Sequence, residues 1–325
     1  MGPALTQALK ATSRSFWLSL RFLPPATRSP IAVAYALARL ADTIVDTDCV
    51  DLQQRLGLLE AFQRRLVHQN SPETFELGKI VKYDHISEGE KKLLDLAHAA
   101  FSALDRLSPR DARLTREVLQ TLTEGMVQDA ILFSHPHDGV AALRTMEQLD
   151  QYCYMVAGCV GKYWTEIHET HLVTMKGMGA SLGPLGIRLG KGLQMINILR
   201  DLPEDLRNGR CYLPEQDLGQ LGLAPGDLLD PNNEKRLIPL LHYLRGVCLE
   251  HLRAGREYLR RLPKREIRLR LCTTWPLEIA IKTLEEMDRN PHPLDPKHRV
   301  KIPRRAVYVI VFRSFLFAAN RSKHD

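Results

Sequence analysis

The sequence predicts an all-α protein, on three observations. Apolar residues recur at spacings of three and four over most of the 325 residues, and no run of strict alternation marks a strand. Prolines and short polar clusters separate the periodic stretches, at positions that start or stop helices. No repeat, low-complexity tract or linker divides the chain, so residues 1–325 read as a single helical domain.

The elements follow in order. Pro24 and Pro25 close an N-terminal segment, and Ser29-Pro30 opens a helix over 31–48, with proline suited to a first turn. DLQQRLGLLEAFQRRLVHQ at 51–69 forms the next helix and leads into a polar loop at 70–72. Amphipathic stretches then cover 88–107, ended by Ser108-Pro109, and 111–133, stopped by SHPHDG. Helices over 146–167 and 181–202 precede a turn-rich region at 208–233. Three more cover 234–262, 264–287 and 304–320.

The helix over 31–48 is the most informative. From Ile31 to Asp46 it is apolar or small except at Tyr35, Arg39, Asp42 and Asp46, which share one helical stripe. A helix apolar on its other faces is expected to be buried. Burying charged groups without compensation costs several kcal/mol per ion, and a metal-bound anion meeting the stripe would supply that compensation. The helix over 181–202 continues into a second stripe, Gln194, Asn197, Asp201 and Asp205, with Leu193, Met195, Ile196, Ile198 and Leu199 on the other faces. Pro203 removes an amide donor there and predicts a bend. Arg200 and Arg210 add planar donors suited to phosphate oxygens. Oxygen-only ligands suit Mg²⁺, which combines carboxylates with substrate phosphates. A di-iron bundle would want Glu-x-x-His repeats, which neither stripe has. Taken alone, either stripe reads equally as a salt-bridged or exposed acidic face.

Composition narrows the partners. A net charge of +7 and a pI near 9.1 suit an anionic substrate, an anionic membrane or nucleic acid. Only 6% of residues are aromatic and no basic–aromatic repeat occurs, which argues against nucleic acid. Six scattered cysteines without a C-x-x-C pair read as reduced thiols of a cytoplasmic protein. MGPALTQALKATSRSF has no apolar core or cleavage site, so no signal peptide is expected. AVYVIVFRSFLFAA at 306–319 is too short to span a bilayer and is interrupted by Arg313. It reads as a terminal packing helix or as a peripheral contact with an anionic membrane. His135, His137, His168 and His171 read as surface or capping residues, Asp129 as a helix-face residue, and Asp48 and Asp51 as an exposed helix end.

YALARLADTIVD (35–46) and QMINILRDLPEDLRNGRCYLP (194–214) resemble the two aspartate-rich motifs of the squalene/phytoene synthase family. SRSFWLSLRFLP (13–24) is similar to its N-terminal substrate flap, and LDQYCYMVAGCVG (149–161) to its central helix. The resemblance implies an isoprenoid-synthase fold with a central cavity between the two Asp-rich helices. It also implies a flap over about 1–30 and a basic C-terminal segment over about 290–325. Asp42, Asp46, Asp201 and Asp205 would hold Mg²⁺ and join Tyr152 in catalysis. Ser13, Arg14, Ser15, Phe16, Tyr35, Arg39, Gln194, Asn197, Arg200, Arg210 and Tyr212 would bind substrate. Val156, Ala157, Val160, Leu193 and Ile196 would line the cavity or simply pack helices.

Within the family, Asp42-Thr43 replaces the Asp-Asp usual in phytoene synthases and looks more like squalene synthases. RLRLCTTWPLEIAIKTLEEM (268–287) and HRVKIPRRAVY (298–308) resemble C-terminal segments of that branch. NADPH contacts are implied for Arg14, Arg39, Arg200, Lys301 and Arg304, although Pro303 stands where an arginine can occur. The expected activity joins two farnesyl diphosphates head-to-head (1′–1) to presqualene diphosphate, then reduces it to squalene with NADPH. Alternatives are a synthase stopping at presqualene diphosphate, dehydrosqualene or phytoene, and a non-catalytic scaffold of the same fold. A basic helical protein using its tail on membranes or nucleic acid is a further alternative. No nucleic-acid partner and no obligate protein partner are expected.

Overall fold

The computed structural model describes residues 20–46, 51–68, 97–134 and 139–321, with the backbone alone at Asp46 and 316–321. It forms two compact units, one from Met1–Ile131 with Tyr163–Gly179, the other from Leu132–Lys162 with Ala180–Asp325.

The first unit begins with α1 (Pro25–Asp46), α2 (Leu52–Val67), α3 (Ala97–Asp105) and α4 (Pro109–Leu132). Helix α1 starts earlier than the sequence predicts. Pro25 takes the first-turn place, where a missing N–H costs nothing, and Thr27 bonds back to the Pro24 carbonyl through its N–H (3.1 Å) and hydroxyl (3.2 Å). Pro30 is consequently inside the helix. Helix α2 opens on a capping box between Asp51 and Gln54, so Asp51 is indeed a helix-end residue. Leu37, Leu40, Ile44, Leu59 and Leu66 are fully buried, and Phe62 meets Phe101 edge-on at 5.2 Å. Asp105 binds Arg65 at 2.5 Å and Arg116 at 2.6 Å, tying α2, α3 and α4 together.

Residues of 163–179 fasten to these helices by polar contacts. Tyr163 meets the Thr115 hydroxyl at 3.0 Å, and His171 meets Asp111 at 2.8 Å. His168 is completely buried, contrary to the surface role expected, with Nδ1 2.7 Å from the Trp164 carbonyl and Nε2 3.3 Å from the Thr27 hydroxyl. A carbonyl only accepts, so Nδ1 carries the proton, and the single Thr27 hydroxyl proton has two acceptors within reach, His168 Nε2 and the Pro24 carbonyl. Burial pushes the His168 pKa down from 6.5 to about 4. Between those values the unfolded chain binds the proton and the folded one does not, so stability falls as pH drops from 6.5 toward 4. The full loss amounts to about 3 kcal/mol. Urea midpoints between pH 7 and 5 should fall accordingly and vary less in His168→Gln; equal slopes would refute this role.

In the second unit, two-residue strands β1 (Ala141–Ala142) and β2 (Arg210–Cys211) pair in parallel. Strands this short carry no alternation, and the sequence does not predict them. The helix expected over 146–167 is instead α5 (Met146–Cys153), a π turn at Tyr154–Gly158, then α6 (Cys159–His171). Helix α7 (Gly179–Arg207) runs on through Pro184 and Pro203 without ending. It presses on the preceding segment at glycines: a Cβ on Gly161 would lie 2.0 Å from the Gly186 carbonyl oxygen, and one on Gly190 would lie 2.2 Å from that of Ala157.

Gly209, at φ +74°, turns the chain from α7 into β2. After α8 (Glu215–Gln220) and two 3₁₀ turns, the long helices are α9 (Glu234–Arg261), α10 (Ile267–Asp288) and α11 (Arg304–Arg321). The Trp275 indole of α10 donates to the Ser314 hydroxyl of α11 at 2.8 Å. Cys153, Cys159, Cys211 and Cys248 are buried free thiols whose pKa burial pushes up to about 12, which leaves them unreactive.

Candidate active site

The first stripe lies on α1. Tyr35, Arg39 and Asp42 are half-exposed, while Leu37, Leu40, Ala41 and Ile44 around them are buried. The Asp42 carboxylate is 43% exposed and lies 3.5 Å from Arg39 Nη1. The stripe therefore opens to solvent, and the cost of a fully buried charge pair expected from sequence does not arise. Asp46 is the last residue of α1. Thr43 is 3% exposed and donates its hydroxyl to the Arg39 carbonyl at 2.9 Å, a core position rather than part of the polar face. Ser13, Arg14, Ser15 and Phe16 of the expected flap lie outside the described residues, as do Asp48, His135 and His137.

The second stripe lies on α7. Met195, Ile196, Ile198, Leu202 and Pro203 are buried; Gln194, Asp201 and Asp205 are half-buried, and Asn197 is exposed 3.4 Å from the Gln194 side-chain oxygen. Asp201 carries the densest set of contacts. Arg200 grips it with Nε on Oδ1 at 2.8 Å and Nη2 on Oδ2 at 2.6 Å. Arg299 reaches it from a residue 98 positions away, with Nε at 3.1 Å and Nη2 at 2.6 Å from Oδ1. Arg299 Nη1 also lies 2.6 Å from Glu204. Burial alone would raise the Asp201 pKa, but the bonds and charges of Arg200 and Arg299 outweigh it and hold the carboxyl below its usual value. Sequence reasoning missed Arg299; its only signal is its place in the basic stretch HRVKIPRR.

Other expected residues sort by position. Tyr152 of α5 stacks on Tyr212 with ring centroids 4.9 Å apart, and Phe133 meets Tyr212 edge-on at 5.0 Å. Tyr212 is thus a buried aromatic that supports Tyr152. Arg210 is half-buried and held in register by β2. Lys301 and Arg304 are exposed. Among the wall candidates Ile196 is buried, Val160 is exposed, and the Ala157 backbone packs against Gly190. Asp129, of α4, is buried.

No group of three or more His, Cys, Asp and Glu side chains among the described residues makes a metal site by itself. Asp201 and Asp205, one turn apart on α7 and both half-buried, nevertheless fit Mg²⁺, which needs only one or two protein carboxylates when phosphate and water complete its shell.

The fold has relatives among solved structures. A ligand complex of TcSQS superposes with a TM-score of 0.77 at 21% identity, over 95% of this chain and 85% of that one. A dehydrosqualene synthase complex superposes at 0.67 and 21% identity, over 97% and 95%. Squalene synthase HpnC from Alicyclobacillus acidocaldarius superposes at 0.62 and 18%, over 88% and 92%. The fold is that of the all-α isoprenoid synthases. The squalene/phytoene synthase profile matches residues 9–306, and the chain belongs to that family, whose members are prenyltransferases. Squalene synthase from Schizosaccharomyces pombe is 26% identical over 291 residues, 88% of this chain and 59% of that protein. The bifunctional lycopene cyclase/phytoene synthase of Pyrenophora tritici-repentis is also 26% identical, over 86% of this chain and 44% of that one. The chain spans less than two thirds of the length of either relative.

Proposed function

We propose that this chain is a Mg²⁺-dependent head-to-head prenyltransferase of the squalene-synthase type. It would join two farnesyl diphosphates to presqualene diphosphate and reduce that with NADPH to squalene. The observation that carries the reading is the half-exposed Gln194–Asn197–Asp201–Asp205 face of α7, set among the buried Met195, Ile196, Ile198, Leu202 and Pro203 and flanked by Arg200, in a member of this family.

Asp42 and Asp46 on α1, and Asp201 and Asp205 on α7, would be the carboxylates that hold Mg²⁺, which would supply Lewis-acid stabilisation of charge on a departing diphosphate. Arg39, Arg200 and Arg210 add fixed positive charge, Tyr35, Gln194 and Asn197 orient the diphosphates, and Ser13, Arg14, Ser15 and Phe16 cover one of them. Tyr152, braced by Tyr212, is the group that assists ionisation or proton transfer. The exposed Lys301 and Arg304, with Arg14, Arg39 and Arg200, would be the residues that bind NADPH, which would supply the hydride. Residues 1–325 act as one domain, a reading supported by the family match over 9–306.

A second reading stops before reduction, at presqualene diphosphate, dehydrosqualene or phytoene. The phytoene-synthase relative, as similar as the squalene synthases, favours keeping it. One assay separates them: purified chain, Mg²⁺ and farnesyl diphosphate should release pyrophosphate, and NADPH should convert the product to squalene. The same hydrocarbon with and without NADPH would overturn the reductive assignment, and no pyrophosphate release would overturn both.

We also infer peripheral contact with anionic membranes. No helix among the described residues is long and apolar enough to cross one. The outer face of α11, however, exposes Tyr308 (71%), Val309 (47%) and Phe312 (64%), with Arg304, Arg305 and Arg313 exposed beside them. The chain should float with phosphatidylglycerol vesicles more than with phosphatidylcholine vesicles, and Phe312→Glu should reduce that by several-fold. Equal flotation of the variant would discard the contact.

A further inference from the structure

Asp201 is saturated by guanidinium groups. Its Oδ1 receives three N–H donors, one from Arg200 at 2.8 Å and two from Arg299 at 3.1 and 2.6 Å, and its Oδ2 receives Arg200 at 2.6 Å. The two arginines are held differently. Arg200 neighbours Asp201 in sequence and covers both oxygens. Arg299 uses one oxygen of Asp201 and at the same time touches Glu204, which is 58% exposed. Arg299 can therefore leave Asp201 and keep a carboxylate partner. Its segment is anchored just before it: His298 Nδ1 lies 2.8 Å from Asp295, and Asn290 donates to the His298 carbonyl at 3.0 Å. The side chain has a fixed base and two acceptors within reach.

A divalent cation binds a carboxylate oxygen at about 2.1 Å, closer than the guanidinium nitrogens stand. On an oxygen that already accepts three N–H bonds the cation would stand against two positively charged guanidinium groups, and that repulsion favours the departure of one of them. We propose that Arg299 is a place-holder: it neutralises Asp201 until cation and diphosphate arrive, then yields that carboxylate and turns to the diphosphate oxygens. This deepens the metal–diphosphate reading and rests on it. The consequence is cooperativity. The cation alone must displace Arg299 at a loss, whereas the cation with diphosphate gives Arg299 a new anionic partner. Arg299 is in this sense a positioning residue with two stations.

Direct binding tests it without turnover. Mn²⁺ is titrated into the full chain, with and without inorganic pyrophosphate, and free Mn²⁺ is read by electron paramagnetic resonance. Arg299→Gln should bind Mn²⁺ alone about tenfold more tightly than the parent chain, in the range of ordinary site–site couplings, and pyrophosphate should enhance its affinity less. Arg299→Lys keeps the charge without the fork and should lie between; it also serves if the glutamine variant misfolds. Arg305→Gln, exposed in the same stretch, should change nothing, which excludes a net-charge effect. If Arg299→Gln binds Mn²⁺ no more tightly than the parent while Asp201→Asn abolishes binding, the metal site stands and the place-holder falls. If Asp201→Asn also leaves Mn²⁺ binding intact, the metal reading itself is refuted.

Discussion

Asp201→Asn should lower turnover at least about a hundredfold, in the range seen when one preorganised electrostatic group is removed from an active site. Asn preserves the shape and one acceptor oxygen but not the charge. Its amide also points N–H groups at a guanidinium, since Arg200 covers both oxygens of the native carboxylate. Some stability is lost with those bonds, about 1–3 kcal/mol for hydrogen bonds to a charged group. Because Asp201 remains 21% exposed, the lower end applies. Activity should therefore be measured well below the melting transition, with circular dichroism confirming the helices. Asp42→Asn provides the cleaner comparison, because that carboxylate is 43% exposed and its replacement should barely move the melting temperature. Turnover near the parent level in either folded variant would remove that aspartate from the proposed machinery.

Gly161→Ala should be the most destabilising single methyl in the second unit. The new carbon would sit 2.0 Å from the Gly186 oxygen and 2.5 Å from its carbonyl carbon, both backbone atoms that no rotamer change can move. Overpacking of this kind costs about 3 kcal/mol, the upper end of its usual range. Gly158→Ala meets only side chains, at 3.1 to 3.3 Å, and should cost less. Gly183→Ala, on the same α7 with nothing within 4 Å, should be neutral or stabilise the helix by up to about 1 kcal/mol. Urea denaturation ranks the three, and similar midpoints for Gly161→Ala and Gly183→Ala would disprove the tight crossing. Catalysis should suffer too, because Gly161 lies just beyond the π turn that follows Tyr152, and small misplacements of reacting groups cost about 100-fold.

Much of the helical plan was legible from periodicity. The stretches over 111–133, 234–262 and 304–320 match α4, α9 and α11 to within two residues, because long amphipathic patterns leave little choice of secondary structure. Boundaries failed where prolines and glycines compete. Pro25 rather than Pro30 begins α1, and Pro203 sits inside α7 because its neighbours bury enough apolar surface to carry the helix past a missing donor. The sequence groups His168 with surface or capping histidines because neither histidine of EIHETH carries a local mark that separates a buried ring from a solvated one, and the structure buries it. Likewise Thr43 is distinguished from Asp42 only by which way each faces on α1.

The sequence by itself determined the helical class, the two aspartate stripes and the family, since each is written in residue type and local spacing. Only the tertiary structure decided that Asp42 meets solvent, that Tyr212 braces Tyr152 within a packed aromatic group, and that Arg299 closes on Asp201. The physical reason is range. Helix periodicity and motif spacing act over a few residues, whereas exposure and ion pairing depend on which distant segments pack together, and 98 residues separate Asp201 from Arg299.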